Sequence, residues 1–231
     1  MTPSVRRLLG PAAMTMAMLV VLIGLGTWQV QRLHWKQDAI ARLTHAEAND
    51  PTPLTAHPAP YSKVVAQGRL RDDLSVLYGA EVRETPTGPK LGAHTIVPLE
   101  REHAPTLLVD LGWVPLLTNT PRERPTDPVN LTGFVHPPED RGWFSATDNA
   151  AERHFYTLDP MAIGAALRLT NIEPYVLVVL GPKSASLWPE PAHRMPRPAN
   201  NHLAYAITWY GLAVALVAVF LVYARKGNPH A

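Results

Sequence analysis

Two long apolar runs near the ends of the chain constrain its architecture more than any motif does. Leu8 to Gln31 contains no charged side chain, and Pro198 to Ala224 contains none apart from the titratable His202. Each run exceeds the roughly 20 residues that carry a helix across ~30 Å of hydrocarbon. The chain therefore reads as a two-span membrane protein. The polar, Pro-rich stretch between the runs has about 165 residues, enough for one domain with its own core.

Cations set the expected orientation. Arg6 and Arg7 flank the first run on its outer side, as Arg225 and Lys226 flank the second. The positive-inside rule then places both tails in the cytoplasm. Arg32, Lys36 and Arg42 argue the other way, but long domains are translocated largely regardless of such charges. A cleaved signal peptide is the alternative for the first run. Its apolar stretch outruns the roughly 7–15 residues of a signal core, and only Gly24 and Gly26 offer a weak small-residue cleavage site, so an uncleaved helix is expected. Arg6-Arg7 completes no convincing twin-arginine motif.

The chain divides on this reading into a cytoplasmic tail at 1–7, a first transmembrane helix at 8–31, a linker at 32–62 and a periplasmic β-rich domain at 63–188. A Pro-rich linker at 189–199, a second transmembrane helix at 200–224 and a cytoplasmic tail at 225–231 complete it. No amphipathic, Arg- and Ser-rich presequence precedes the first run, which argues against a mitochondrial precursor and for a bacterial inner membrane.

Short aliphatic and β-branched runs broken by Gly, Pro and Asp predict strands at Lys63–Leu70, Leu74–Val82, Ala93–Glu100, Thr106–Val114, Val129–Val135 and Tyr175–Gly181. Their spacing predicts antiparallel hairpins in an open barrel or sandwich. One helix is expected after Asp159-Pro160, an N-cap with proline at the first helical position, with Met161, Ala165, Leu167 and Leu169 forming its apolar face. Pro51–Pro60 and Pro189–Pro198 read as stiff tethers. The fold class is thus two transmembrane helices flanking an antiparallel β-rich, α+β extracytoplasmic domain.

Composition removes several function classes. The net charge of +2 is spread out, which argues against a nucleic-acid partner. Without cysteine there are no disulfides, thiolate metal sites, iron–sulfur clusters or cysteine nucleophiles. Gly-rich phosphate loops, HExxH and GxSxG are missing too, so hydrolase, nucleotide-dependent and zinc readings lack their required residues, and an enzyme acting on haem or lipid ranks last for want of a convergent acid, base or nucleophile. The pairs Asp72-Asp73 and Glu139-Asp140 read as solvated turn residues.

Ten histidines are many for this length, yet most read as surface or hydrogen-bonded residues without metal-ligand spacing. His202 differs because it opens the second span, after Asn200-Asn201, a plausible capping pair. Tyr205 and Trp209 project from nearly the same helical face over about 10 Å of axis. Trp28, His34 and Trp35 close the first span at the same level. A neutral imidazole among aromatic rings at membrane depth can ligate a haem iron. The competing reading, which composition alone favours, is an aromatic belt with a snorkelling histidine.

The run Gly24-Leu25-Gly26-Thr27-Trp28-Gln29-Val30-Gln31-Arg32-Leu33-His34-Trp35-Lys36 resembles the signature that closes the first span of the SURF1 (Shy1) family. Asn200-Asn201-His202-Leu203-Ala204-Tyr205-Ala206-Ile207-Thr208-Trp209-Tyr210-Gly211 is similar to that family's second-span signature. Gly68-Arg69-Leu70, Gly112-Trp113-Val114-Pro115, Gly133-Phe134-Val135 with Pro137-Pro138-Glu139, and Arg141-Gly142-Trp143-Phe144 follow the family order. Where members often carry Arg before the central Gly-Trp, this chain has Leu111 after Asp110. Trp for core packing and Gly for turns is the structural reading of those central motifs.

The resemblance implies a non-enzymatic assembly factor for haem-copper terminal oxidases, binding or presenting haem a for insertion into oxidase subunit I. It implies His202 as the haem ligand with Trp209 as its aromatic companion, and a haem chaperone built on that ligand is expected to shield the ring with Trp209, Tyr205 and Trp28. Expected partners are subunit I, neighbouring oxidase subunits, haem and membrane lipid. The competing expectation is a retained accessory subunit without haem, whose Gly24, Gly26, Gly211, Ala213 and Ala215 offer small-residue faces to other helices.

Overall fold

The first apolar run becomes helix α1, Pro3–Ala48, in a computed structural model that describes residues 3–116, 128–143, 145–182, 188–197 and 199–226. The second becomes α3, His202–Lys226. Both are long and apolar enough to cross a membrane. Their large apolar side chains, among them Met14, Met16, Val20, Ile207, Val214 and Val219, are exposed around the helices, a surface suited to lipid rather than water. The chain divides into two compact units, residues 1–42 with 197–231 and residues 43–196.

Helix α1 does not stop where hydropathy stops. Residues 32–48 were expected in a linker, but they are rich in Ala, with Leu and Arg, and contain neither Gly nor Pro, so helical hydrogen bonding continues. The end is capped from the domain: Lys63 Nζ donates to the carbonyls of Glu47 and Asn49, both at 3.2 Å.

The β domain contains β1 (Thr52–Pro53), β2 (Lys63–Leu70), β3 (Val76–Thr85), β4 (Gly88–Arg101), β5 (Ala104–Pro115), β6 (Val129–His136), β7 (His154–Phe155) and β8 (Ile172–Val179). The strand order is β1-β2-β6-β8-β5-β4-β3-β7, and an added β2–β4 pairing closes β2, β6, β8, β5 and β4 into a ring. The barrel alternative is the one realised. It is not wholly antiparallel, because β5 and β8 pair in parallel, as do β1 with β2 and β3 with β7. The long connection from β5 to β8, which carries α2 (Pro160–Ala166), supplies the crossover a parallel pair needs.

Alternation along the strands makes two layers of core. Val64, Ala66, Val97, Leu99, Leu107, Val109, Val135, Tyr175 and Leu177 form one cluster. Residues of opposite parity, Val76, Ile96, Leu108 and Val176, pack with Phe155, Leu158, Ile163 and Leu167 around α2. Asp159 caps α2 as expected, its Oδ1 accepting from the amides of Met161 and Ala162 at 2.9 and 3.2 Å. The buried face is Pro160, Ile163 and Gly164, followed by Leu167, whereas Met161 and Ala165 are exposed. That is the i, i+3, i+4, i+7 stripe.

The Pro-rich stretch after residue 188 is not a free tether. Glu190 exchanges main-chain hydrogen bonds with Trp113, both at 2.9 Å, Ala192 bonds Val179 and Gly181, and Met195 is buried against Phe134 and Val178. Trp113 is wholly buried, with Trp188 edge-on at 5.1 Å between centroids. Trp143, expected to pack in a core, is instead fully exposed, and its neighbour Phe144 lies outside the described residues.

The central motif forms a β-bulge. Thr95 pairs with Gly112 while Ile96 pairs with Asp110, leaving Leu111 as the inserted residue. Gly112 has φ +124°, and a Cβ there would lie 2.0 Å from the Glu190 carbonyl oxygen. The glycine thus serves a bulge and a close approach rather than a turn. Asp110 spans the bulge: Oδ1 accepts from the Gly112 amide at 2.8 Å, and Oδ2 contacts His94 Nδ1 at 2.8 Å. His94 also meets Arg83, which pairs with Glu81 and Glu190. Burial works against a charged His94, but the hydrogen bond and charge of Asp110 outweigh it, assisted by Glu81 and opposed by Arg83, and its pKa is raised.

Two outcomes follow. Gly112→Ala destabilises the protein by about 3 kcal/mol or more, read as a lower unfolding temperature of the detergent-solubilised full chain. Because the His94 pKa is higher folded than unfolded, its contribution is complete below the ordinary histidine value near 6.5 and is lost as pH rises through the raised value. Thermal stability should decline over that window in the wild type, and Asp110→Asn should flatten the decline while lowering stability throughout.

Candidate functional site

A polar side chain on an apolar helix needs a partner, and in the helical unit α1 and α3 supply partners to each other. Gln29, from the uncharged run of α1, is buried, and its Oε1 lies 2.6 Å from His202 Nδ1 at the start of α3. The amide oxygen only accepts, so Nδ1 carries the proton and donates. In the neutral ring Nε2 then carries the lone pair. His202 itself is only partly buried.

Neighbouring contacts hold the two helices in opposite directions at this point. Lys36 Nζ donates to the Ala199 carbonyl, and Thr27 Oγ1 lies 3.2 Å from the Tyr210 hydroxyl. Tyr210 fits because residue 26 is glycine: a Cβ there would lie 2.7 Å from its ring. Leu22, Ala206 and Ala213 are buried in the same unit. Gly26 and Ala213, read as small faces for outside helices, are thus buried within this chain, whereas Gly24, Gly211 and Ala215 stay exposed.

The expected aromatic cage is assembled only in part. Tyr205 and Trp209 lie one and two turns beyond His202 on the same side of α3, Tyr205 exposed and Trp209 partly buried. Trp28 is half exposed and sits about 100° around α1 from Gln29. Among the described residues no ring pair joins these side chains, although Arg32 stacks over Trp35 at 4.7 Å. Asn200, read as part of a capping pair, has a buried Oδ1 with no hydrogen-bond partner among the described residues.

Gln29 was not singled out from the sequence. Its signal was present, an amide inside an uncharged and mostly apolar run, but the residue it answers lies 173 positions away. The pair suits an axial haem ligand. Ligating histidines ordinarily donate the other ring N–H to an acceptor, and here the acceptor is in place. The site opens onto apolar helix surface, which matches an apolar macrocycle.

The described residues of the β domain offer no comparable chemistry. Among the described residues no group of three His, Asp or Glu is placed to hold a metal ion. A groove of about 750 Å³ runs beside β2 and the β4–β5 hairpin, lined by Leu54, Val65, Gln67, Arg69, Arg101 and Asn130 among others. Two of its charged side chains are neutralised, Arg101 by Glu173 and Glu100 by Arg71. Burial, with Glu173 close by, pushes the Tyr175 hydroxyl up to about 12. Burial and the hydrogen bond to Glu139 likewise raise Tyr78 well above the usual tyrosine value. Neither hydroxyl is a proton donor or nucleophile tuned to neutral pH.

The SURF1 family model matches residues 16–214. Surfeit locus protein 1 of Homo sapiens is 30% identical, the match covering 91% of this chain and 76% of that protein. A SURF1-like protein of Rickettsia felis is 26% identical over 89% of this chain and 93% of its own length, and one of Monosiga brevicollis is 27% identical over 90% and 85%. The match runs from within α1 through the barrel and its bulge into the first half of α3, and this chain belongs to the SURF1 family.

Proposed function

We propose that this protein is a non-catalytic assembly factor for a haem-copper terminal oxidase, binding or presenting haem a for insertion into subunit I. Membership in a family of cytochrome oxidase assembly factors supports the general role. The observation that carries the haem reading is the His202–Gln29 pair, which leaves Nε2 as a ready lone pair at the edge of two apolar helices. Bound haem would supply the redox-active iron that the client oxidase needs. His202 would hold the iron, and Tyr205, Trp209 and Trp28 would supply aromatic surface to shield the ring. A carrier must also release its cargo, so the affinity is modest.

The setting is a bacterial inner membrane, with both tails cytoplasmic and the barrel in the periplasm. The outer cations Arg7, Arg225 and Lys226 support this orientation. The chain has no cysteine, so single reporters are easy to place. A cysteine at His103 on the β4–β5 hairpin should react with a membrane-impermeant maleimide in permeabilised-outer-membrane cells, and one at Asn228 should be protected until the inner membrane is opened. The reverse pattern would overturn the topology.

A second reading is a retained accessory subunit. The open faces at Gly24, Gly211 and Ala215 favour close packing of another helix, such as one from subunit I or its neighbours. Protein purified from cells that make haem a separates the two by pyridine haemochrome assay. Haem in the wild type and nearly none in a well-inserted His202→Ala variant supports the carrier. Haem retained by the variant sinks the ligand assignment, and haem-free protein that brings oxidase subunits with it supports the accessory subunit.

A further inference from the structure

We infer that Gln29 is the positioning residue of this site: its amide oxygen holds His202 in the Nδ1–H tautomer and so selects Nε2 as the atom offered to iron. The inference rests on the reading of His202 as a haem ligand. A neutral imidazole has one protonated and one lone-pair nitrogen, and whichever nitrogen donates a hydrogen bond leaves the other to coordinate. At 2.6 Å from a carbonyl-type oxygen, Nδ1 is the donor. Iron can then be bound through Nε2 without removing a proton. Were the amide turned over, its NH2 would donate to Nδ1 and the proton would sit on Nε2, where it blocks coordination.

The surroundings make this a fixed arrangement. Gln29 is 9% exposed on an uncharged and mostly apolar stretch, and breaking its bond would strand an amide oxygen with little water to replace the partner. Its position along α1 is held on both sides, by the Thr27–Tyr210 contact toward one end and the Lys36–Ala199 hydrogen bond toward the other. Both lie within the same helix pair, so Gln29 and His202 are kept in register. The acceptor also raises the donor strength of the ring, because a proton drawn toward oxygen leaves more electron density at Nε2.

The test has two readouts, made on the full chain in detergent with Gln29→Leu and Gln29→Glu. Nitrogen-15 NMR of histidine-labelled, haem-free wild type should give His202 as the Nδ1–H tautomer, and Gln29→Leu should shift the ring toward Nε2–H. With haem, Gln29→Leu should weaken binding by roughly 10- to 100-fold and raise the iron midpoint potential. Gln29→Glu, a stronger acceptor, should lower the potential. Opposite signs from two substitutions at one position are not produced by loosened helix packing. An Nε2–H tautomer in the wild type would overturn the inference. So would a wild type that binds haem through His202 with both variants matching it in affinity and potential, and that result would leave the ligand reading intact. A wild type that takes up no haem would overturn the ligand reading and this inference together.

Discussion

Gln29 and Asp110 pose the same physical problem in different surroundings: each is a buried hydrogen-bonding side chain that is tolerable only with a partner from elsewhere in the chain. On the helices the surroundings are apolar side chains, and the partner is His202. In the domain the surroundings are the barrel wall, and the partners are His94 and the Gly112 amide. The penalty for a missing partner exceeds the net gain from a made bond, so such pairs specify register more than they add stability. The helix pair is held in one alignment by the first pair, and β5 is held in its bulge by the second.

The bulge in turn organises the far side of the domain. Leu111 is the inserted residue, and it packs partly buried against the barrel core. An arginine at this place would carry a charge beside that core, so the leucine here is consistent with a network whose cation is Arg83 instead. Arg83 reaches Glu81 and Glu190 and lies over the Trp113 ring at 5.4 Å. Through Glu190 the segment after Trp188 is stitched onto β5 and β8 before the chain enters α3. The barrel, its polar cluster and the segment after Trp188 are thus joined by main-chain and side-chain hydrogen bonds.

Much of this was legible in the residues. The two apolar runs became α1 and α3, β2 kept its expected bounds, and Asp159-Pro160 marked the start of α2 because a side-chain acceptor and a proline without an N–H both suit a helix N-terminus. His202 stood out because an ionisable group at the mouth of a span calls for a reason. What misled was also local: the charges after Gln31 marked the end of an apolar run, not the end of a helix, and the prolines after Trp188 disguised a segment that pairs with strands.

The sequence by itself determined the elements whose cause is local: apolar length, period-two alternation, helix caps and the residues too polar for their surroundings. Tertiary structure decided which distant groups meet. The parallel β5–β8 pair depends on a crossover, the β2–β4 closure joins strands separated by β3, and Gln29 reaches His202 across 173 positions. No local pattern encodes such pairings, because each becomes favourable only after the intervening chain has folded and excluded the water that would otherwise satisfy the same polar groups.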